Sequence, residues 1–268
     1  MTFVHGYEFD AMSTRSVNRD VTRALIDMCG IGAHSRVADI GCGSGSATRL
    51  LLETSPEVGQ VVAVDPSPHE LAIARERIAD ERVTFLQGRA QDVEGLIDPV
   101  GVVLLSNVIH QIPEAERASV IGSCHRVLAP AGILALNTHF YEGSLPRESR
   151  VFYAHWLYST RQWLKSNGVE LGSNPSAPVA LSLLDADAHV AMFQAAGFSD
   201  VRVEERTYEC SFDDWDALSR YSVFIEGATG LADMALGSEA LRAGLRTTFE
   251  ALGLTTVPRR WLFASGRK

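Results

Sequence analysis

The sequence predicts an α/β protein built on a doubly wound, mostly parallel sheet. Between residues 36 and 140, five short apolar segments alternate with longer segments whose apolar residues recur every three or four positions. This alternation is typical of strands that are joined by helices. The short segments are apolar throughout, which indicates parallel strands covered on both faces.

Each of these elements has a local justification. The predicted strands are RVADIG, QVVAVD, RVTFLQG, VGVVLLSN and GILALNTHF. The predicted helices are SATRLLLETS, PHELAIARERIADE and EAERASVIGSCHRVLA, and an amphipathic helix over 16–29 precedes the first strand. Pro68 suits a first helical turn, where its missing N–H costs nothing, and Pro130 with Gly132 ends the third helix.

Beyond residue 140 the pattern becomes mainly helical, with one return to the core. Asp185 or Asp187 is the predicted cap of a helix that leads through a glycine turn into a strand, and RRWLFASGRK is predicted to form the closing strand. We therefore expect a core of residues 1–140, 185–212 and 257–268 with an N-terminal helical segment, and two helical insertions, 141–184 and 213–256, that form a lid over it.

Composition limits the classes of partner. The chain of 268 residues has a net charge of −9 and 46% apolar residues, a balance that favours a globular protein with a small-molecule ligand over a nucleic-acid-binding one. It contains no apolar run of about 18 residues. We expect a cytoplasmic protein without a membrane partner, and a homodimer is among the assemblies that remain open. Four scattered cysteines, Cys29, Cys42, Cys124 and Cys210, predict neither disulfides nor a metal site.

A glycine-rich turn follows the first predicted strand in VADIGCGSGSAT, residues 37–48. Gly41, Gly43 and Gly45 form G-x-G-x-G, whereas Ser46 stands where a dinucleotide-binding fingerprint needs a third glycine or alanine. A phosphate-binding loop would need a lysine that is missing. Asp39 precedes the glycines and would repel a pyrophosphate. It would attract an ammonium group.

The run from Asp39 to Gly45 resembles motif I of the class I S-adenosylmethionine-dependent methyltransferases. Asp65 at the end of the second strand, LQGRAQDV, LLSNVIHQIP and HRVLAPAG follow in the order of that family, although Ala131 stands where glycine is commoner. The resemblance covers about 20–140, 185–210 and the last strand. It implies a seven-stranded sheet with an antiparallel last strand, and S-adenosylmethionine as cofactor.

The resemblance also implies the cofactor contacts. Asp65 would hold the ribose hydroxyls, and the Ala90 backbone with Gln91 would line the adenine. Arg89 stands where the family often has an acid that accepts from the adenine amino group, so this contact is expected to pass to Gln91 or Asp92. The expected cofactor-binding set is Tyr7, Asp39, Gly41, Gly43, Gly45, Asp65, Pro66, Ala90, Gln91 and Asn107.

Two histidines follow predicted strands and are candidate general bases. His110 comes after the fourth strand and His139 after the fifth. Histidine can deprotonate a hydroxyl near neutral pH. The alternative is that both are structural, His110 being hydrogen-bonded beneath the cofactor. No H-x-x-x-H or paired-acid spacing predicts a metal.

The first insertion is rich in aromatic residues, which are common in pockets for small apolar ligands. The expected substrate-binding residues are Phe140, Tyr141, Tyr153 and Trp156, with Arg147 available to a carboxylate. The alternative is that the aromatic side chains pack the insertion and that Arg147 lies on a solvated helix face.

These observations favour a methyltransferase acting on a small, largely hydrophobic or aromatic metabolite, with O-methylation ahead of C- or N-methylation, in secondary-metabolite biosynthesis. A second reading keeps the cofactor but uses its charge in a cyclase, decarboxylase or isomerase. A third is a non-catalytic cofactor-binding protein. Nucleic-acid methylation is disfavoured by the acidic charge and because SNVI stands where an N/D-P-P-Y/F tetrad is expected.

Overall fold

The computed structural model of the chain describes residues 10–169 and 183–268, so the predicted contact of Tyr7 lies outside the described residues. The strands are β1 Arg36–Ile40, β2 Gln60–Asp65, β3 Val83–Gln87, β4 Val100–Ser106, β5 Leu128–Thr138, β6 Ser199–Ser211 and β7 Thr256–Arg267. The helices are α1 Asp10–Ser13, α2 Ser16–Met28, α3 Ser46–Thr54, α4 Pro68–Arg77, α5 Val93–Leu96, α6 Glu114–Val127, α7 Arg150–Ser166, α8 Ala186–Ala195, α9 Phe212–Leu218, α10 Ser222–Thr229 and α11 Met234–Leu252.

The seven strands form one sheet in the order β3-β2-β1-β4-β5-β7-β6. Strands β1 to β5 pair in parallel with their neighbours, and β7 pairs antiparallel to β5. The predicted fold class is therefore confirmed. Because the order reverses between β1 and β4, the carboxyl ends of these two strands are where a ligand crevice is expected in an open α/β sheet.

The chain divides into two compact units. The first, here called the sheet unit, comprises residues 19–142, 183–206 and 261–268. The second, the helical unit, comprises residues 10–18, 143–169 and 207–260. Residues 10–18 thus fall in the helical unit, although the sequence grouped them with the core.

The core of the sheet unit lies around the central strands. In β1, Val37, Ala38 and Ile40 have no exposed surface, and Asp39 between them is only 1% exposed. The full burial of successive side chains shows that both faces of the strand are covered, as the continuous apolar pattern predicted. It also means that the carboxylate of Asp39 is held in an apolar environment.

Helix ends follow the predicted signals in part. Pro68 begins α4, and Asp185 caps α8, its carboxylate accepting from the Ala188 N–H at 2.7 Å. The third predicted helix was expected to stop at Pro130, but α6 already ends at Val127. The following residues join β5, which explains the difference.

Ala131 stands where the resembled family more often has glycine, and its backbone adopts a conformation that favours glycine. Ala131 has φ +61°, in the left-handed region that disfavours residues with a Cβ. The pairing with β4 shifts here, since Val100 faces Leu128 while Val102 faces Ile133. The family's usual glycine would adopt this backbone at no steric cost.

We predict that Ala131→Gly raises the free energy of unfolding by about 0.5 to 1 kcal/mol, because relief of the left-handed strain outweighs the added entropy of the unfolded chain. Ala131 is exposed, so few side-chain contacts are lost. Denaturant unfolding measures the change. Ala129→Gly, where φ is not positive, is the control and should lower stability. A loss in both variants would contradict the interpretation.

Candidate functional site

The glycine turn brings bare backbone to the carboxyl end of β1. Gly41 has φ +76°, and its N–H donates to the Val64 carbonyl at 2.7 Å. A Cβ at Gly41 would lie 2.5 Å from Cγ2 of Val108, and one at Gly45, with φ +86°, would lie 2.7 Å from Cδ1 of Ile78. Both positions therefore exclude a side chain, and the loop stays narrow beside the crevice.

Asp65 ties this turn to the end of β2. Its Oδ2 accepts from the Gly43 N–H at 2.9 Å, and its Oδ1 accepts from the Ser67 N–H at 2.8 Å. Burial raises the pKa of Asp65, and these two backbone hydrogen bonds oppose the rise. The helix cap itself is Ser67, whose hydroxyl accepts from the Glu70 N–H. Asp65 thus braces the turn while keeping a charged edge at the crevice.

Asp39 is the most deeply buried acid of the site. Its Oδ2 accepts from the Thr48 hydroxyl at 2.6 Å, and among the described residues its Oδ1 has no hydrogen-bond partner. Burial, together with the negative charge of Asp65, raises the pKa of Asp39 to about 6 against the opposing bond from Thr48. A buried carboxylate oxygen without a donor is costly. Its surroundings therefore fit a cationic ligand group.

The segment after β3 forms a short 3-10 turn over Ala90–Asp92. The side-chain amide of Gln91 donates to the carboxylate of Glu116, which also accepts from Arg89 at 3.0 Å. The Gln91 carbonyl accepts from the Ser123 hydroxyl. Arg89, at a position where the methyltransferases that this segment resembles often have an acid, is therefore compensated by the carboxylate of Glu116 from α6, which also accepts from the Gln91 amide.

His110 lies buried in a 3-10 turn after β4, over Ile109–Gln111. Its Nδ1 is 3.1 Å from the Thr138 hydroxyl, and its ring centroid is 4.6 Å from that of Phe140. The Thr138 hydroxyl also accepts from the Phe140 N–H. The fourth and fifth strands thus end in one connected group.

His139 has no exposed surface and follows β5 directly. Its Nδ1 is 3.0 Å from Oδ1 of Asn107, and its ring centroid is 5.3 Å from that of Trp261. The rings of the two histidines have centroids 5.7 Å apart. The sheet unit therefore brings together His110, His139, Asn107 and Phe140.

A buried arginine fixes the turn that carries His110. The guanidinium of Arg117 donates to the carbonyls of Ile112 at 2.9 Å and His110 at 3.4 Å. Burial lowers the pKa of Arg117, and the charge of Glu114 opposes this. Sequence reasoning missed this residue because a single arginine in a helical segment looks like a surface charge.

The helical unit is held by its own aromatic cluster. Trp156 is fully buried, and its Nε1 donates to the Leu241 carbonyl at 2.7 Å. Its ring lies 5.3 Å from that of Phe224 and 6.0 Å from that of Tyr153 between centroids. Arg147 is exposed. These contacts give Trp156 a packing role within the unit, and the substrate contacts of Tyr153, Trp156 and Arg147 stay predictions.

Several contributors had no sequence signal of their own. Thr48, Asn137 and Thr138 belong to apolar or helical runs, and their roles come from the partners that the fold brings to them. Pro66 is exposed, and Tyr141 is buried in the core of the sheet unit.

Within residues 10–169 and 183–268, no cluster of three His, Cys, Asp or Glu side chains could hold a metal, and no helix has the length and apolarity of a membrane span.

The fold is that of a Rossmann-like α/β protein, and an acidic, glycine-lined candidate ligand site lies at its switch point. Residues 37–132 match a family profile described as Methyltransferase domain. Over this segment the chain is similar to the class I S-adenosylmethionine-dependent methyltransferases, whose methyl donor is S-adenosylmethionine.

Three comparisons show which known proteins the chain resembles. An uncharacterized methyltransferase of Synechocystis is 37% identical over 40% of this chain and 48% of its own. A carboxy-S-adenosyl-L-methionine synthase of Chromohalobacter salexigens is 29% identical over 63% of each. The crystal structure of a SAM-dependent methyltransferase from Archaeoglobus fulgidus matches 98% of both chains with a TM-score of 0.57 at 14% identity. The chain spans about half to two thirds of the length of these curated relatives.

Burial of Asp39 predicts a pH-dependent stability. Since its pKa is raised from 3.8 to about 6 in the fold, the native state holds a proton that the unfolded chain has lost. The stability of the ligand-free protein should therefore fall by about 2 to 3 kcal/mol as the pH rises from 4 to 7.

Asp39→Asn should remove most of this decline and raise the melting temperature at pH 7.5. Thr48→Val, which deletes the donor to Asp39, is the control and should lower the melting temperature at pH 7.5. Differential scanning calorimetry from pH 4 to 8 checks both. An identical pH profile in wild type and Asp39→Asn would sink the assignment.

Proposed function

We propose that this chain binds S-adenosylmethionine at the β1–β4 switch point and transfers its methyl group to a small, largely apolar or aromatic acceptor. The observation that carries the proposal is the buried Asp39 carboxylate, whose Oδ1 has no partner among the described residues, beside a glycine turn too narrow for side chains. An ammonium group at that oxygen would compensate the buried charge. A pyrophosphate there would be repelled.

The carboxylates have separate tasks in this proposal. Asp39 holds the amino group of the cofactor. Asp65 accepts from the ribose hydroxyls, since each of its oxygens uses only one backbone N–H and a carboxylate offers about four acceptor positions. The glycine turn, the Pro66 and Ala90 backbone, Gln91 and Asn107 complete the expected contacts.

When bound, the cofactor supplies an electrophilic methyl group on a sulfonium. The task of the chain is to align an acceptor with it and to exclude water. If the acceptor is a hydroxyl, its proton must leave, and we assign that role to His139 or His110 at the ends of β5 and β4. A positioned base contributes roughly 10² to 10⁴ in rate. This is why O-methylation ranks ahead of C- and N-methylation.

The acceptor class is proposed from apolar character. Phe140 packs against both histidine rings, so an apolar surface adjoins the proposed bases. Tyr141, Tyr153, Trp156 and Arg147 remain the further substrate residues of the proposal. A net charge of −9 argues against nucleic acid as the acceptor. Secondary-metabolite biosynthesis would use such acceptors.

A second candidate is an enzyme that uses the same cofactor without transferring methyl. It is favoured by the relative from Chromohalobacter salexigens, whose name describes the synthesis of carboxy-S-adenosyl-L-methionine. Such an enzyme would share Asp39 and Asp65. It would differ in the fate of the methyl group.

Cofactor binding is tested by calorimetry with S-adenosylhomocysteine and its 2′,3′-dideoxy analogue. We expect wild type to prefer the hydroxylated ligand at least tenfold, and Asp65→Ala to lose that preference because the ribose acceptor is gone. Ser67→Ala keeps the Asp65 carboxylate and should retain the preference. An equal loss of affinity for both ligands in Asp65→Ala would make Asp65 a structural brace only.

Transfer is tested with methyl-labelled S-adenosylmethionine and a panel of apolar phenols and enols. We expect label in the product and formation of S-adenosylhomocysteine, with kcat falling about 10²-fold or more when the histidine that serves as base is changed to Gln. Turnover in which the labelled methyl carbon stays on the sulfonium and no S-adenosylhomocysteine forms would instead establish the second candidate. Binding of the cofactor with no turnover would contradict both.

A further inference from the structure

Asn107 stands at the junction of β4 and β5 with its backbone held on both sides. Its N–H donates to Oδ1 of Asn137 at 2.8 Å and also approaches the Asn137 carbonyl at 3.2 Å. Its carbonyl accepts from the Gln111 side chain at 3.2 Å. Asn107 is 2% exposed and Asn137 is fully buried. The carboxamide of Asn107 is therefore presented from a fixed base.

The backbone of Asn107 has φ +56°, the left-handed region that asparagine tolerates better than most residues. This conformation ends β4 and accompanies the approach of the side chain to His139, whose Nδ1 lies 3.0 Å from Oδ1. A residue in a rare conformation, locked by three hydrogen bonds, points to a functional constraint.

The chemistry of the contact fixes a proton. An amide oxygen only accepts hydrogen bonds, so the Nδ1 that faces it must carry the hydrogen, and Nε2 of a neutral ring is then the acceptor nitrogen. His110 differs, because its Nδ1 faces the Thr138 hydroxyl, which can donate or accept. The structure therefore distinguishes two neighbouring histidines.

We propose that Asn107 is a positioning residue that holds His139 in the Nδ1–H tautomer, with Nε2 as the proton acceptor for the substrate. Its catalytic meaning rests on the proposed function, whereas the tautomer does not. Asn137 supports it by anchoring the Asn107 backbone. This role uses Oδ1 of Asn107, and the cofactor contact proposed for Asn107 falls to its other atoms.

The neutral amide of Asn107 does not stabilise the protonated, charged form of the His139 ring. A carboxylate at position 107 would keep Nδ1–H but would stabilise the imidazolium. Within the part of the chain that the structure describes, the ring of His139 lies beside the titratable ring of His110 and beside the rings of Phe140 and Trp261. Substitution of Asn107 by Asp therefore introduces one new charge at a known atom.

The test is two-bond ¹H–¹⁵N correlation spectroscopy of histidine-labelled protein at pH 7.5, with the His139 signals assigned by their loss in His139→Gln. Wild type is expected to show the Nδ1–H pattern. Asn107→Ala should shift His139 toward the Nε2–H form, which predominates in water. Gln111→Ala, which removes a bond to the Asn107 backbone but keeps the carboxamide, should leave the tautomer unchanged. An Nε2–H pattern in wild type would overturn the proposal.

Asn107→Asp supplies an independent readout. Its His139 ring should titrate at a pH about one unit higher than in wild type, and the acid limb of kcat/KM should move up with it. Unaltered His139 titration in a folded Asn107→Asp protein would also overturn the proposal. If the NMR tautomer is as expected but His139→Gln retains full kcat, the positioning stands and the base assignment of the proposed function fails.

Discussion

The bond between the Asp65 carboxylate and the Gly43 N–H is the constraint on which the site depends. It joins the loop after β1 to the end of β2 at 2.9 Å, and so places two carboxylates and a bare backbone at one edge of the sheet. Parallel pairing makes this possible, since β1 and β2 end side by side with Asp39 opposite Ala63. The glycines allow it, because a Cβ at Gly41 would meet Val108 from the end of β4. Turn, strand order and charge are thus one arrangement.

This arrangement lowers the stability of the ligand-free protein but raises its affinity for a cationic ligand. Ionised Asp39 is unfavourable in the ligand-free fold, as its pKa of about 6 shows, and Thr48 compensates only one of its oxygens. A cationic ligand would offset the unfavourable free energy of burying the ionised carboxylate. Binding at Asp39 should therefore favour a positively charged group. The same reasoning applies less strongly to Asp65, because two backbone donors already stabilise its carboxylate.

Much of this could be predicted from the sequence, and the limits have physical reasons. The five apolar runs predicted the parallel strands, and G-x-G-x-G after Asp39 predicted the bare turn at the end of β1, because both are local patterns. The partners Thr48, Asn137 and Arg117 could not be predicted, since each acts across 9, 30 and 7 residues respectively and none has a motif. The end of α6 was placed too late because β5 begins already at Leu128, whose pairing with Val100 is not visible in the local pattern. The expected contact of the Gln91 side chain with the cofactor competes with its hydrogen bond to Glu116, a residue that only the fold brings near.

The two candidate chemistries share everything up to the ends of β4 and β5, and they diverge there. In the proposed mode of binding, Asp39 and Asp65 contact the amino and ribose ends of the cofactor, so neither of them decides the fate of the methyl group. A proton acceptor with a fixed tautomer serves an acceptor that must lose a proton during attack. The hydrogen bond between His139 and the Asn107 carboxamide is therefore the feature of the sheet unit that bears on the choice, and it favours transfer to a hydroxyl over purely electrostatic use of the sulfonium.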